Sequence, residues 1–268
     1  MQLKHKAIFS LRRLSSMSLL IFALLTSLSA NAQQFMSGEK QVPLIELYTS
    51  EGCSSCPPAD RWMSKLTAHE DLWSGFVPIA LHVDYWDYIG WKDPYASREY
   101  SQRQRQIAAE NEERTVYTPG VRKAGDEWRS WRLWGSPTLD DSPLVGDLQL
   151  DVSDSGQFTA NFNQSEVNAR LSERGLQLNI AVLGLGLSND VKRGENSGKT
   201  LEHDFVVLSL SRVSSAEKLS WNGVIEEPAI EAQRYALAAW ISEKGRTKPI
   251  QSTGGYLNKQ LWSENSKS

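Results

Sequence analysis

The sequence predicts an α/β domain over residues 42–135 followed by a β-rich region over residues 144–262. Two observations point there. Within residues 42–83 an apolar strand, an amphipathic helix and a second apolar strand follow one another. Beyond Trp134 the pattern changes to short strand-like runs separated by clusters of Ser, Asp, Asn and Gly. The composition, 40% hydrophobic and 23% charged over 268 residues, is that of a folded chain.

Residues 33–41 are polar and are expected to form a flexible lead-in. Residues 42–49 (VPLIELYT) are apolar on both faces, the mark of a buried central strand. Residues 50–56 form a turn with Gly52. Residues 57–69 place Ala59, Trp62, Met63 and Leu66 on one helical stripe. Residues 76–83 (FVPIALHV) supply the second strand, and a strand–helix–strand unit favours a parallel pair with a right-handed crossover. Residues 84–93 are an aromatic loop. Residues 95–113 read as a solvated helix with Arg98, Arg103 and Arg105 on its face. Residues 120–131 read as a hairpin turning at Ala124-Gly125-Asp126. In the second region, strands are expected over 144–152, 157–162, 176–187, 201–213 and 234–243, with a short helix over 163–173. The boundary between the two regions falls near residues 136–143.

The first 32 residues read as a secretory signal: a basic head (Lys4, Lys6, Arg12, Arg13), an apolar run over 19–25 and a small-x-small site at Ala30-Asn31-Ala32. The expected location is therefore exported, periplasmic or extracellular, with no stable membrane insertion after cleavage. An uncleaved anchor over residues 14–30 is the alternative. Cleavage leaves 25 basic against 32 acidic side chains, a net charge of −7 where the full chain has −3. Neither value is the basic footprint of a nucleic-acid binder.

The chain has two cysteines, Cys53 and Cys56, so a disulfide framework is excluded. A CxxC between strand and helix brings its two sulfurs together with little backbone strain. The expectation is that Cys53 lies exposed at the helix N-terminus, where free N–H groups and the macrodipole stabilise a thiolate and lower its pKa from about 8.5 to roughly 3.5–7.5. Cys53 is then the nucleophile and Cys56, one turn inside, the resolving thiol. Pro57 is tolerated in a first turn. A purely structural disulfide is the plainer alternative, but so short a loop constrains the unfolded chain little. Two thiolates could instead hold copper, with His82 assisting, in a binding module.

Four segments in order, YTSEGCSSCPPAD (48–60), LHVDYWDYIGWKDP (81–94), VYTPG (116–120) and GENSGKTLEH (194–203), resemble the exported thioredoxin-like family catalogued as domain of unknown function 1223. YTSEGCSSC also resembles the glutaredoxin active-site turn. The resemblance covers most of the chain after the signal, strongest over 42–120. It departs at EWRSWRLW (127–134), where a smooth strand is expected. It implies a thioredoxin-like domain with a β-rich C-terminal portion, Cys53/Cys56 as redox centre, and a cis-proline at Pro119 beside it, with Thr118 offering its backbone to an extended partner. It implies no particular substrate.

Around that pair, Glu46 is the candidate acid to relay protons to the resolving thiol, or else an edge carboxylate; Asp84 is a weaker candidate. Tyr85, Trp86, Tyr88 and Trp91 form an aromatic patch that packs the loop, and Tyr85 and Trp86 with His82 are candidates to line a substrate. Gly194-Glu195-Asn196-Ser197-Gly198 reads as only a turn. The function expected is thiol–disulfide exchange on a thiol- or disulfide-containing exported protein. A redox partner protein would set its direction. No metal and no cofactor beyond the redox pair itself is called for.

Overall fold

The computed structural model describes residues 32–133, 137–164, 175–214, 219–258 and 261–262. The expected signal, apart from Ala32, and the helix expected over 163–173, apart from its first two residues, lie outside them.

In chain order the described elements are β1 (Gln33–Met36), β2 (Leu44–Thr49), α1 (Pro57–Lys65), β3 (Val77–His82), α2 (Arg98–Glu110), β4 (Gly120–Lys123), β5 (Asp126–Glu127), β6 (Gly146–Val152), β7 (Gln157–Gln164), β8 (Leu176–Leu185), β9 (Leu187–Asp190), β10 (Thr200–His203), β11 (Val206–Ser214), β12 (Ser220–Val224), β13 (Arg234–Glu243) and β14 (Pro249–Tyr256). One eight-stranded sheet runs β14-β13-β8-β11-β3-β2-β4-β5, a four-stranded sheet runs β1-β6-β7-β12, and β9 and β10 form a separate hairpin.

The predicted strand–helix–strand unit is present: β2 and β3 pair in parallel from Leu44↔Val77 to Thr49↔His82, with α1 between them. The predicted hairpin is also present, β4 pairing with β5 across Ala124 and Gly125, both at positive φ, as a tight two-residue turn requires.

The expected fold class is not what the chain adopts. Of the described residues, 44% lie in strands and bridges and 17% in helices, so the molecule is mostly β-sheet and not an α/β thioredoxin-like fold. The reason lies at β3. A parallel strand requires a crossover, an antiparallel one does not. Beyond β3 the sheet gains one parallel neighbour, β11 (Val206↔Ala80), and then grows antiparallel through β8, β13 and β14. No further helix is needed to extend it. Strands from both predicted regions thus share one sheet. The polar lead-in is partly ordered as well, as β1 on the edge of β6.

The period of two sorts side chains between two cores. On β8, Leu178, Ile180 and Val182 face the four-stranded sheet, meeting Leu148, Leu150 and Phe162. Ala181, Leu183 and Leu185 turn to the other core, with β2, β3 and Trp240. Helix α2 lies against that second core and is less solvated than expected. Arg103 is buried and paired with Glu46 (Nε to Oε2, 2.8 Å), its guanidinium over Trp240. Among the described residues no helix is long and apolar enough to cross a membrane.

Candidate functional site

The parallel strands β2 and β3 end side by side, so the chain after each emerges at one end of the sheet, the usual place for a site in such an arrangement. The segment after β2, residues 50–56, carries both cysteines. Two successive turns shape it: Cys53 N–H donates to Ser50 O (3.1 Å) and Cys56 N–H to Cys53 O (3.2 Å). Cys53 and Cys56 are joined in a disulfide, Cα–Cα 5.4 Å.

Two details differ from expectation. The helix N-cap is Cys56, not Cys53, and prolines fill the first two helical positions. Proline has no N–H, so Pro57 and Pro58 remove donors that a thiolate at the helix start would use. Nor is Cys53 exposed: it is 1% accessible and Cys56 0%, while Ser54 and Ser55 between them are exposed. The polar neighbour of Cys53 Sγ is Ser55 Oγ at 3.3 Å.

Glu46 does not face the cysteines. Its Oε2 accepts from Arg103 Nε and from Tyr48 Oη, both at 2.8 Å. Strand alternation explains this. Even positions of β2 point toward α2, whereas odd-numbered Thr49 points toward α1 and donates to Asp60 Oδ1 (2.7 Å). The acid on the cysteine side is Asp60, whose N–H donates to Cys56 O one turn earlier. It is 5% exposed and its Oδ2 has no hydrogen-bond partner among the described residues. Burial raises its pKa above the ordinary carboxylate value, against the pull of His203 and His82. A signal for it existed. Counted from Cys56, the buried residues Ala59, Asp60 and Met63 fall at i+3, i+4 and i+7. Asp84, the weaker candidate, is tied to α2 by the Ser101 hydroxyl.

Beneath the loop lies a buried charged cluster. His82, a candidate substrate-lining residue, is wholly buried; its Nδ1 donates to Asp93 Oδ2 (2.7 Å), and its ring lies edge-on to Tyr95 and, at 4.9 Å, to His203. It belongs to the floor of the site and cannot touch substrate. Burial disfavours its cation, but Asp93 outweighs that and the pKa is raised. Asp93 is likewise desolvated, yet His82 and the N–H groups of Glu51 and Tyr95 hold its pKa below the ordinary value. Glu51 is the hub. Its carboxylate accepts from Asn189 Nδ2 (2.9 Å), His203 Nε2 (3.1 Å) and Trp91 Nε1 (2.8 Å). Neither Glu51 nor His203 stands out in the sequence by spacing, since their pairing spans 152 residues.

The Thr118–Pro119 peptide is cis. It precedes Gly120, which pairs with Tyr48 of β2, and so lies at the same end of the sheet. Trp86 Nε1 donates to Thr118 Oγ1 (2.8 Å), and its Cβ crowds Gly52, where an added Cβ would lie 2.9 Å away. Trp86 therefore bridges the cysteine loop and the Thr118–Pro119 segment. Tyr85 Oη donates to Gln104 Oε1 (3.0 Å) under Arg105 and also neighbours the Thr118 side chain. Tyr88 is 81% exposed. The Gly194–Gly198 segment is more than a turn: Asn196 Nδ2 donates to Glu51 O (2.8 Å) and Cys53 O (3.0 Å), and Glu195 Oε2 accepts from Ser54 N–H (3.0 Å).

For copper, the two sulfurs are engaged with each other and His82 Nδ1 with Asp93. Among the described residues no group of three or more His, Cys, Asp and Glu is placed to hold a metal.

The crystal structure of protein AGR_C_4864 from Agrobacterium tumefaciens is similar to this chain at a TM-score of 0.56 and 22% identity, covering 82% of this chain and 96% of that one. HBP35 of Porphyromonas gingivalis is similar at 0.51 and 15% identity, over 83% and 77%. At such identities the likeness concerns the fold alone. No curated protein matches the sequence. A family model matches residues 44–242, from the first residue of β2 almost to the end of β13, and the chain belongs to that family, described as Protein of unknown function (DUF1223).

Proposed function

We propose that the protein is a thiol–disulfide oxidoreductase acting on exported proteins through Cys53 and Cys56. The observation that supports it most is the setting of its two cysteines. They form a disulfide at the start of a helix, with a buried acid of raised pKa, Asp60, one turn beyond Cys56. A disulfide that served only to staple the chain would not need that acid, which costs stability where it lies.

Starting from the disulfide, a partner thiolate attacks Cys53 Sγ, which the loop must first uncover, in line with the Cys53–Cys56 bond. Its electron pair forms the Cys53–partner bond, and Cys56 leaves with the pair of the broken bond. Asp60 supplies the proton to the Cys56 thiolate, which is otherwise a buried charge. A second partner thiolate then attacks the partner sulfur, and Cys53 leaves. The partner loses two electrons and gains a disulfide; Cys53 and Cys56 gain the two electrons. The reverse order reduces a partner disulfide. Trp86 and the Thr118–Pro119 segment border the loop and would hold the partner chain.

The test is Cys56→Ser expressed in the native host. Without the resolving thiol, Cys53 is expected to accumulate as mixed disulfides that a reductant releases. Absence of such adducts, with Cys53 shown to react with a small alkylating reagent, overturns the proposal.

A further inference from the structure

The tip of the β9–β10 hairpin grips the cysteine loop from 141 to 145 residues away in sequence. Asn196 is wholly buried, and its one amide nitrogen serves both Glu51 O and Cys53 O. Lys199 Nζ donates to Asn196 Oδ1 (2.9 Å), fixing which end of the amide faces the loop. At the rim, the fully exposed Glu195 takes Ser54 N–H, and those hydrogen bonds lower its pKa. The tip thus binds three loop positions, 51, 53 and 54, with Cys53 O and Ser54 N–H the two sides of one peptide unit. The hairpin is hydrogen-bonded outside the main sheet, its strands pairing only with each other among the described residues.

We propose that this hairpin tip is complementary to the disulfide form of the loop and holds the pair oxidised, with Asn196 and Glu195 as positioning residues. The proposal rests on the oxidoreductase reading for its biological use, but not for its test. Two causes give the same sign. The Asn196 bonds fit Cys53 O where the disulfide fixes it, and reduction releases the constraint on residues 53–56. In addition, the Glu195 carboxylate opposes a second negative charge at Cys53, which disfavours the thiolate and hence the reduced form. Linkage makes the effect reciprocal: what holds the disulfide is itself loosened when the disulfide opens.

The experiment titrates Cys53–Cys56 of the whole protein against dithiothreitol buffers in wild type, Asn196→Ala and Glu195→Ala. Two hydrogen bonds present in one redox state and weakened in the other correspond to about a tenfold shift, so N196A is expected to favour the dithiol about tenfold, about 30 mV for a two-electron couple. E195A, an exposed change that spares the fold, is expected to shift the same way by about twofold, and less in high salt. Hydrogen exchange of wild type supplies the second readout. The amides of Ser54 and of residues 197–199 are expected to exchange at least about tenfold faster in the dithiol form. A merely structural hairpin would lower the melting temperature of both redox forms equally and leave the midpoint and the exchange unmoved; that result overturns the proposal. Because a small dithiol reads the disulfide directly, a shifted midpoint together with an empty Cys56→Ser trap would sink the oxidoreductase and leave the hairpin's role standing.

Discussion

Replacing Asp60 by Asn is expected to make the protein more stable and less active, and the two effects have one cause. Above its folded pKa Asp60 is a carboxylate that is 5% exposed, with Oδ1 receiving the Thr49 hydroxyl and Oδ2 without a partner among the described residues. An unsatisfied buried polar atom costs about 1–3 kcal/mol, more if charged. Asn keeps an oxygen for Thr49 and puts a neutral amide where the orphan oxygen was, which still lacks a partner, so the net gain is about 1–2 kcal/mol. In a chain of this length that raises the melting temperature by about 2–8 °C at pH 8. The sign follows from linkage. The folded pKa of Asp60 lies above its unfolded value, so its protonated form favours folding, and stability falls as the pH rises through the folded pKa. The advantage of D60N is therefore expected to shrink as the pH is lowered toward 4. Below the folded pKa, where Asp60 holds its proton, reduction of the disulfide by a protein dithiol is expected to be about a hundredfold slower in D60N, because a positioned acid contributes on that scale, and the difference is expected to close as the pH rises through that pKa. Circular-dichroism melts at pH 8 and pH 5, with stopped-flow reduction of the oxidised proteins, measure both. A D60N protein less stable than wild type at pH 8, or one reduced at the wild-type rate at pH 5, refutes the assignment.

Arg103→Met leaves Glu46 buried without its partner and is expected to cost about 3–5 kcal/mol in chemical denaturation, yet to leave the redox midpoint alone, since the pair lies on the opposite face of β2 from Asp60. Gly52→Ala puts a methyl 2.9 Å from Trp86 Cβ and is expected to cost about 1–3 kcal/mol, with a shift of the Trp86 indole N–H signal as its bond to Thr118 is disturbed. The His82–Asp93 pair predicts stability limbs on both sides of a plateau. Asp93, with a lowered pKa, contributes above its ordinary 3.8 and the contribution is lost as pH falls through the folded value; His82, with a raised pKa, contributes fully below 6.5 and loses it as pH rises through its folded value. Asp93→Asn is expected to flatten both limbs in melting temperature against pH.

The sequence revealed elements whose burial is written in apolar residues, and hid those held by polar ones. β2, α1 and β3 are legible because every position of the strands and one stripe of the helix are buried. β14 was missed because its interior is Gln251, Ser252 and Thr253. They are buried by strand pairing, and Gln251 is satisfied by Val42 N–H and Gly146 O. β1 was missed because Phe35 alone of its four residues is buried. The α/β expectation extrapolated from one strand–helix–strand unit, while the pairing of β11 with β3 is a contact that no local pattern announces. At the site, both cysteines and the Thr118–Pro119 segment were legible from short motifs. Of the acids, the sequence points to Glu46 and Asp84 and not to Asp60, because alternation settles which strand face meets the cysteines only once the helices are placed. Glu51, His203 and Asn196 were not found. The segment GENSGKTLEH carries part of the family resemblance, and its Asn196 is the residue that holds the loop carbonyls.

This pattern bears on what the β-rich part of the chain is for. It is not an appendage to the cysteine loop. Glu51, two residues before Cys53, is held by side chains 138 and 152 residues later, and the cysteine loop's carbonyls by one 143 and 145 residues later. The same association is repeated away from the site, where Arg103 Nη2 donates to Thr247 O (3.1 Å) and Tyr100 Oη to Val207 O (3.0 Å). A buried carboxylate such as Glu51 is tolerable only when its partners are in place, so the floor of the loop depends on Asn189 of β9 and His203 of β10. The family match supports the same unit. It starts at Leu44 and stops one residue short of the end of β13, spanning both chain regions and leaving out β1 and β14, each at one edge of its sheet. The matched span therefore takes in β2 through most of β13 together with the hairpin that returns to the cysteines, and a reading of the cysteine loop that stops at residue 135 omits Asn189, Glu195, Asn196 and His203, which hold it.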